Sequence, residues 1–162
     1  MKAIVIFYSL EGNTKLISNI IADEINADIL ELKPKKDVTK NKFMKYLWGG
    51  KSVFMNEKPE LINKIPDLSE YDTIIIGTPI WAGNYAPAIN TFINKCEIKN
   101  KRIGLFVCHG GGGPGKCFDK IKTAYPKNKF TKTIDFKDPS KQDKRDVGTK
   151  IRKWIKEEIL NS

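Results

Sequence analysis

The apolar positions of this chain fall into two alternating patterns. Short runs rich in β-branched and aromatic residues, at 3–8, 29–32, 73–77, 103–108 and, less sharply, 130–136, read as buried strands. Between them, apolar residues recur at helical spacing. Leu16, Ile17, Ile20, Ile21 and Ile25 share one helical face, and Ile89, Phe92, Ile93 and Cys96 share another behind Pro87, which suits a first helical turn. Phe118 and Ile121 start a third helix, and Val147, Ile151, Trp154, Ile155 and Ile159 form a C-terminal one. Apolar strands alternating with helices predict an α/β fold, a doubly wound five-stranded parallel sheet with helices on both faces. Ligands of such sheets bind beyond the carboxyl ends of the strands, near the topological switch point.

One stretch departs from the alternation. Residues 33–71 hold a helical piece at 43–48, then Gly49-Gly50, then Val53-Phe54-Met55, and run irregularly through Pro59 and Pro66. This is read as an elaborated crossover at about 34–70 inside one domain covering 1–162, without repeats or low-complexity linkers.

Composition narrows the function classes. The chain has 162 residues, 40% hydrophobic and 30% charged, the balance of a globular domain. No apolar run approaches the roughly 20 residues of a membrane span. The opening run is too short for a signal peptide, and Glu11, Gly12 and Asn13 stand where a cleavage site would be, so a cytoplasmic protein without membrane attachment is expected. Three cysteines, with no C-x-x-C pair, argue against a disulfide framework and a cysteine zinc site. The formal charge is +10, from 29 Lys+Arg against 19 Asp+Glu. The lysines are spread along the chain, which suits a solvated surface or an acidic protein partner, and no nucleic-acid motif is present.

Three segments that would follow strands one, three and four carry unusual chemistry. The first is Ser9-Leu10-Glu11-Gly12-Asn13-Thr14, between a strand and a helix. Free backbone N–H groups at a helix start can wrap a phosphate, with the Ser9 and Thr14 hydroxyls and the Asn13 amide adding hydrogen bonds. A plain N-cap by Asn13 or Thr14 explains the same residues. The second is Gly77-Thr78-Pro79-Ile80-Trp81-Ala82-Gly83-Asn84-Tyr85-Ala86-Pro87, read as a loop. Here Trp81 and Tyr85 can stack on an aromatic ligand and Thr78 can bond a polyol hydroxyl, or Trp81 simply packs beneath the loop. The third is Cys108-His109-Gly110-Gly111-Gly112-Gly113-Pro114-Gly115-Lys116. Bare backbone can approach a flat ligand closely and offer N–H groups to its carbonyls, or the glycines are a flexible loop. His109, the one histidine, reads as a packing or hydrogen-bonding group rather than a catalyst. Together the three segments describe a site for a phosphorylated flat ligand, a mononucleotide.

Over nearly its whole length the chain resembles the flavodoxin family. The resemblance rests on Tyr8-Ser9-Leu10-Glu11-Gly12-Asn13-Thr14, on Thr78-Pro79-Ile80-Trp81 and on the glycine run after Cys108. It implies a non-covalent FMN. By resemblance Ser9, Leu10, Glu11, Gly12, Asn13 and Thr14 take the phosphate. Thr78, Pro79, Ile80, Trp81, Ala82 and Gly83 flank the flavin, with Trp81 stacking, and Cys108, His109, Gly110, Gly111 and Gly112 face its pyrimidine end. Three features depart from the family pattern: Glu11 replaces a threonine, the third segment offers His109 and glycines where electron-carrier flavodoxins have an aromatic, and the chain is basic where they are acidic. The implied function is electron transfer between redox partner proteins, acidic ones by charge, in a monomer or weak dimer. The alternative is an NAD(P)H-dependent flavin or quinone reductase on the same fold. Lysines near the ring are expected to make the low-potential couple less negative than in an acidic flavodoxin.

Overall fold

The computed structural model describes residues 1–38, 41 and 57–160, so the expected pieces at 43–48 and 53–55 lie outside the described residues. Strand β1 (Ala3–Phe7) is buried throughout. It is followed by α1 (Asn13–Ile25) and by β2 (Asp28–Glu31), which pairs parallel to it. After the crossover come β3 (Thr73–Trp81), β4 (Asn84–Tyr85) and α2 (Pro87–Lys95). The chain continues through β5 (Arg102–His109), α3 (Cys117–Ala124), β6 (Lys129–Phe130), β7 (Ile134–Lys137) and α4 (Lys144–Trp154). A π-helical turn, Ile155–Leu160, extends α4.

The sheet order is β2-β1-β3-β5-β6, with β7 also paired to β5 and every one of these pairings parallel. Side chains alternate between its two faces. Ile4, Ile6, Ile74, Ile76, Leu105 and Val107 face α2 and α3, where Ile89, Phe92 and Ile121 meet them. Val5, Phe7, Ile75 and Phe106 face α1 and α4, against Ile17, Ile21, Ile151 and Trp154. Each fully buried Ile or Phe contributes about 1.5–3 kcal/mol of transfer free energy, so the two apolar layers fix the register. Gly77 is required by packing: a Cβ there would lie 2.1 Å from Phe106 Cζ.

Two expectations need correction. The stretch at 130–136 is two short strands. β6 pairs with the start of β5 and β7 with its end. Between them Lys132 turns to the C-terminal helix: its carbonyl accepts from Trp154 Nε1 at 2.7 Å, and its N–H donates to Glu158 Oε2 at 3.0 Å. The third strand does not end at Gly77. It runs to Trp81, pairing Thr78 with Val107 and Pro79 with Cys108, then folds back as a hairpin with Ile80 opposite Tyr85 and Trp81 opposite Asn84. Ala82 (φ 48°) and Gly83 (φ 77°) have the signs of a two-residue type I′ turn. β1 pairs with β3 only as far as Gly77, so the missing N–H of Pro79 costs little on that side.

The crossover is tied to the sheet edge. Pro34 bridges Leu61, and Lys33 N–H donates to Asn63 Oδ1 at 3.0 Å. The Asn63 amide in turn donates to the Glu31 carbonyl at 2.8 Å.

Candidate functional site

Because every strand of the parallel ladder ends on the same side, the segments after β1, at the end of β3 and after β5 meet. They enclose a cleft of about 200 Å³ beside the β1/β3 switch point. Its lining is Ser9, Leu10, Glu11, Asn13, Thr14, Pro79, Ile80, Trp81, Cys108, His109, Gly110 and Asp138. All three segments singled out in the sequence contribute. Gly12, Thr78, Ala82, Gly83, Gly111 and Gly112 are not part of the lining.

The first segment leads into a helix whose start carries no cap. Gly12 precedes α1 with φ 91°, a conformation open chiefly to glycine, and its N–H donates to Ser9 Oγ at 3.1 Å. No side chain caps α1, and no acidic residue stands in its first turn, so the N-cap alternative does not hold. The helix start therefore presents free N–H groups and the positive end of its dipole. Asn13 Oδ1 accepts from Ser140 N–H at 3.0 Å, leaving the amide NH₂ as a donor. Thr14 is 1% exposed, and its Oγ1 has no hydrogen-bond partner among the described residues. Burial pushes the neighbouring Cys108 thiol up to about 12, the Thr14 hydroxyl acting weakly the other way. A thiol is too weak a partner to satisfy that hydroxyl. An orphaned hydroxyl at an uncapped helix start fits a phosphate, which accepts hydrogen bonds on several oxygens. Glu11 is exposed, which keeps its carboxylate in solvent.

The second segment supplies a wall. Trp81 is the last residue of β3 and is 3% exposed, so it is a packed strand residue rather than a free loop aromatic. The Tyr8 ring meets it edge-on, with centroids 5.6 Å apart and planes at 89°. Tyr8 in turn donates its phenol proton to Asp37 Oδ1 at 2.6 Å. Burial first, then Asp37, hold that phenol protonated. Two expectations fail here. Thr78 is fully buried, accepting from Ala86 N–H at 3.0 Å and donating to the Pro79 carbonyl, so its hydroxyl is committed to the hairpin. Tyr85 pairs with Ile80 and lies outside the lining.

The third segment is the opposite wall. His109 ends β5, with Nε2 2.9 Å from Asp135 Oδ2 and Nδ1 accepting from Gly111 N–H at 3.1 Å. Residues 110–116 also match G-x-x-x-x-G-K between a strand and a helix, the spacing of a phosphate-binding loop. Three of the N–H groups such a loop would use are committed elsewhere. That of Gly111 goes to His109, that of Lys116 to the Gly83 carbonyl and that of Cys117 to the Pro114 carbonyl. Asp119 in the first turn of α3 further disfavours an anion. The strip is a wall held against the hairpin, with Gly115 (φ 55°) so close to Gly83 that a Cβ would lie 2.4 Å from its carbonyl oxygen.

Asp138 was not anticipated. It follows β7 in a left-handed conformation (φ 40°), donates its N–H to the His109 carbonyl at 2.9 Å and lines the cleft. The Asp138-Pro139 pair after a strand is a turn signal, but its neighbourhood is decided by the pairing of β7 with β5. Among the described residues that line the cleft, Glu11 and Asp138 are acidic and none is lysine or arginine. Lys141 is tied to this lining, its Nζ lying 3.4 Å from Asp138 Oδ2. Among the described residues, no helix is long and apolar enough to cross a membrane.

Comparison with known proteins agrees with this geometry. The flavodoxin family model matches residues 2–157. A provisionally assigned flavoprotein from Bacteroides uniformis is 26% identical, with a TM-score of 0.79 over 93% of this chain and 97% of that one. Another from Bacteroides eggerthii is 25% identical, with a TM-score of 0.78 over 96% of both chains. A flavoprotein from Lactobacillus acidophilus, solved in complex with FMN, is 22% identical with a TM-score of 0.65 over 94% of this chain and 97% of that one, a likeness of fold.

Proposed function

This chain belongs to the flavodoxin family, and on that premise we propose that it holds FMN in the cleft and passes electrons between partner proteins in the cytoplasm. The observation that carries the proposal is the uncapped start of α1, whose Asn13 and Thr14 line the same cleft as Trp81. Ser9, Asn13, Thr14 and the backbone of residues 10–14 would hold the phosphate. The Pro79-Ile80-Trp81 end of β3 and the Cys108-His109-Gly110 strip would bracket the ring, with Asp138 at the margin.

When bound, FMN supplies the redox chemistry, and the protein orients it and sets its surroundings. Asp138 is paired with Lys141, whose Nζ lies 3.4 Å from Asp138 Oδ2, and Glu11 is exposed, so neither carboxylate acts unopposed on charge gained in the cleft. Lys116 is exposed at one end of the glycine strip, and at the other Lys137 Cε lies 3.6 Å from where a Gly111 Cβ would be. These ammonium groups favour an acidic partner. The free thiols of Cys96, Cys108 and Cys117 suit a reducing compartment.

The test is the visible spectrum after FMN is added and the excess removed, followed by reduction trials. Retained flavin bands that bleach only with a protein reductase support the proposal. Rapid bleaching by NAD(P)H alone would replace the carrier with a reductase, and loss of the bands would end the FMN reading.

A further inference from the structure

We propose that His109 is a positioning residue that sets one wall of the cleft through a single neutral tautomer, and that FMN affinity is therefore linked to its protonation. This rests on the FMN reading above. The His109 side chain is 8% exposed, and both its nitrogens are engaged. Nδ1 accepts the Gly111 N–H, so it carries no proton; Nε2 then carries the proton and donates it to Asp135 on β7. The ring thereby ties the glycine strip to the neighbouring strand. A second tie lies at the strip's far end, Lys116 N–H to the Gly83 carbonyl at 3.1 Å. Between them, a Cβ on Gly112 or Gly113 would meet nothing within 4 Å, so side-chain packing does not hold the strip there.

Protonation sets two donors against each other. A proton on Nδ1 faces the Gly111 N–H, that hydrogen bond breaks, and the strip leaves the cleft wall while the Asp135 contact strengthens. Several charged groups surround the ring. Asp135 contacts it directly, and Asp138 and Glu11 line the same cleft. Lys137 lies against the strip, Lys150 of α4 donates Nζ to the Asp135 carbonyl at 2.6 Å, and Lys141 Nζ lies 3.4 Å from Asp138 Oδ2. An imidazolium would also attract an anionic ligand, so the sign of the pH dependence separates a simple charge effect from the hydrogen-bond arrangement.

As the chain has one histidine, its ring signals in ¹⁵N-correlated NMR are unambiguous. In the protein without cofactor, Nε2 should be protonated and Nδ1 not, and the Gly111 amide should titrate with the ring's midpoint. FMN affinity, followed across the roughly pH 5–8 window of histidine, should fall about tenfold on the acid side. His109→Ala should weaken binding by about tenfold at neutral pH, the scale of one lost hydrogen bond with its partner stranded. His109→Gln, whose amide can accept from Gly111 and donate to Asp135, should recover most of that loss and reduce the pH dependence to that of the FMN phosphate itself. A protonated Nδ1, a Gly111 amide indifferent to the ring, or affinity rising toward acid would overturn the proposal. So would a pH dependence undiminished in His109→Gln, since the FMN phosphate's own titration at about pH 6 is common to both proteins. If FMN fails to bind at every pH, the functional reading falls and takes the affinity link with it, while the ring spectra still judge the tie itself.

Discussion

The two ends of the sheet both carry depressions, and they differ in size and charge. At the carboxyl end the cleft measures about 200 Å³, with no lysine or arginine in its described lining. At the amino end lie depressions of about 500 and 730 Å³, lined in part by Lys95, Lys99, Lys101, Arg102, Lys127 and Lys129. If size and positive charge located an anion site, it would be at the amino end. Backbone direction points the other way. In a parallel α/β sheet the helix starts gather at the carboxyl edge, where unbonded N–H groups and positive dipole ends accumulate. Helix ends gather opposite and favour cations, as with Lys95 in the last turn of α2 and Lys122 in that of α3. Much of the lysine at that pole thus complements the protein's own carbonyls.

The largest expected effect on this contrast comes from Gly115→Ala. A Cβ 2.4 Å from the Gly83 carbonyl at φ 55° should force the strip from the hairpin and cost roughly 1–3 kcal/mol. Thermal melts should show that loss and FMN retention should fall with it. Gly112→Ala, in open space, should stay within about 0.5 kcal/mol of the parent. Equal melts for the two would mean that the strip is not pinned to the hairpin.

Alkaline titration sharpens the picture of a dry cleft floor. Burial raises the Cys108 and Cys117 thiols from the ordinary 9.0 to about 12. The folded state then binds more protons than the unfolded chain above pH 9.0, so this part of the stability is whole below that pH and is lost as pH rises toward about 12. Unfolding free energy from urea melts at pH 8 and pH 10.5 should be lower at the higher pH. In the native protein at pH 8, iodoacetamide should reach the half-buried Cys96 before either of the others. Early labelling of Cys108 would contradict the buried floor.

Thr14→Val should separate stability from binding. Replacing an unsatisfied buried hydroxyl by a methyl of similar shape should leave stability equal or raise it by about 1 kcal/mol. FMN affinity should drop about tenfold, while riboflavin, which lacks the phosphate, should bind the two proteins alike. Equal FMN binding would remove the phosphate from this hydroxyl. The smallest effect belongs to the other pole: Lys99→Gln with Lys127→Gln should change FMN affinity by less than about twofold, since both lie at the opposite end of the sheet. A larger loss there would mean that surface charge, not helix direction, governs the site.

The chain's own pattern was enough for the central strands and the helices beside them. Apolar runs such as 3–8 and 103–108 must be buried on both faces, and residues such as Ile17 and Ile21 repeat at helical spacing. It also placed the Ser9-to-Thr14 segment in the cleft, because a glycine-containing turn into a helix is a local event. What depended on residues distant in sequence was not legible. Thr78 reads as a free hydroxyl until the hairpin closes and Ala86 takes it. Trp81 reads as a loop aromatic until β3 is seen to continue, and the 130–136 run reads as one strand until Lys132 is drawn to Trp154 and Glu158. The charge of the cleft was the least accessible of all. Composition sums charges over the whole surface, whereas the site is decided by which few side chains the strand order brings to one edge. Only the pairing of β7 with β5 sets Asp138 beside His109.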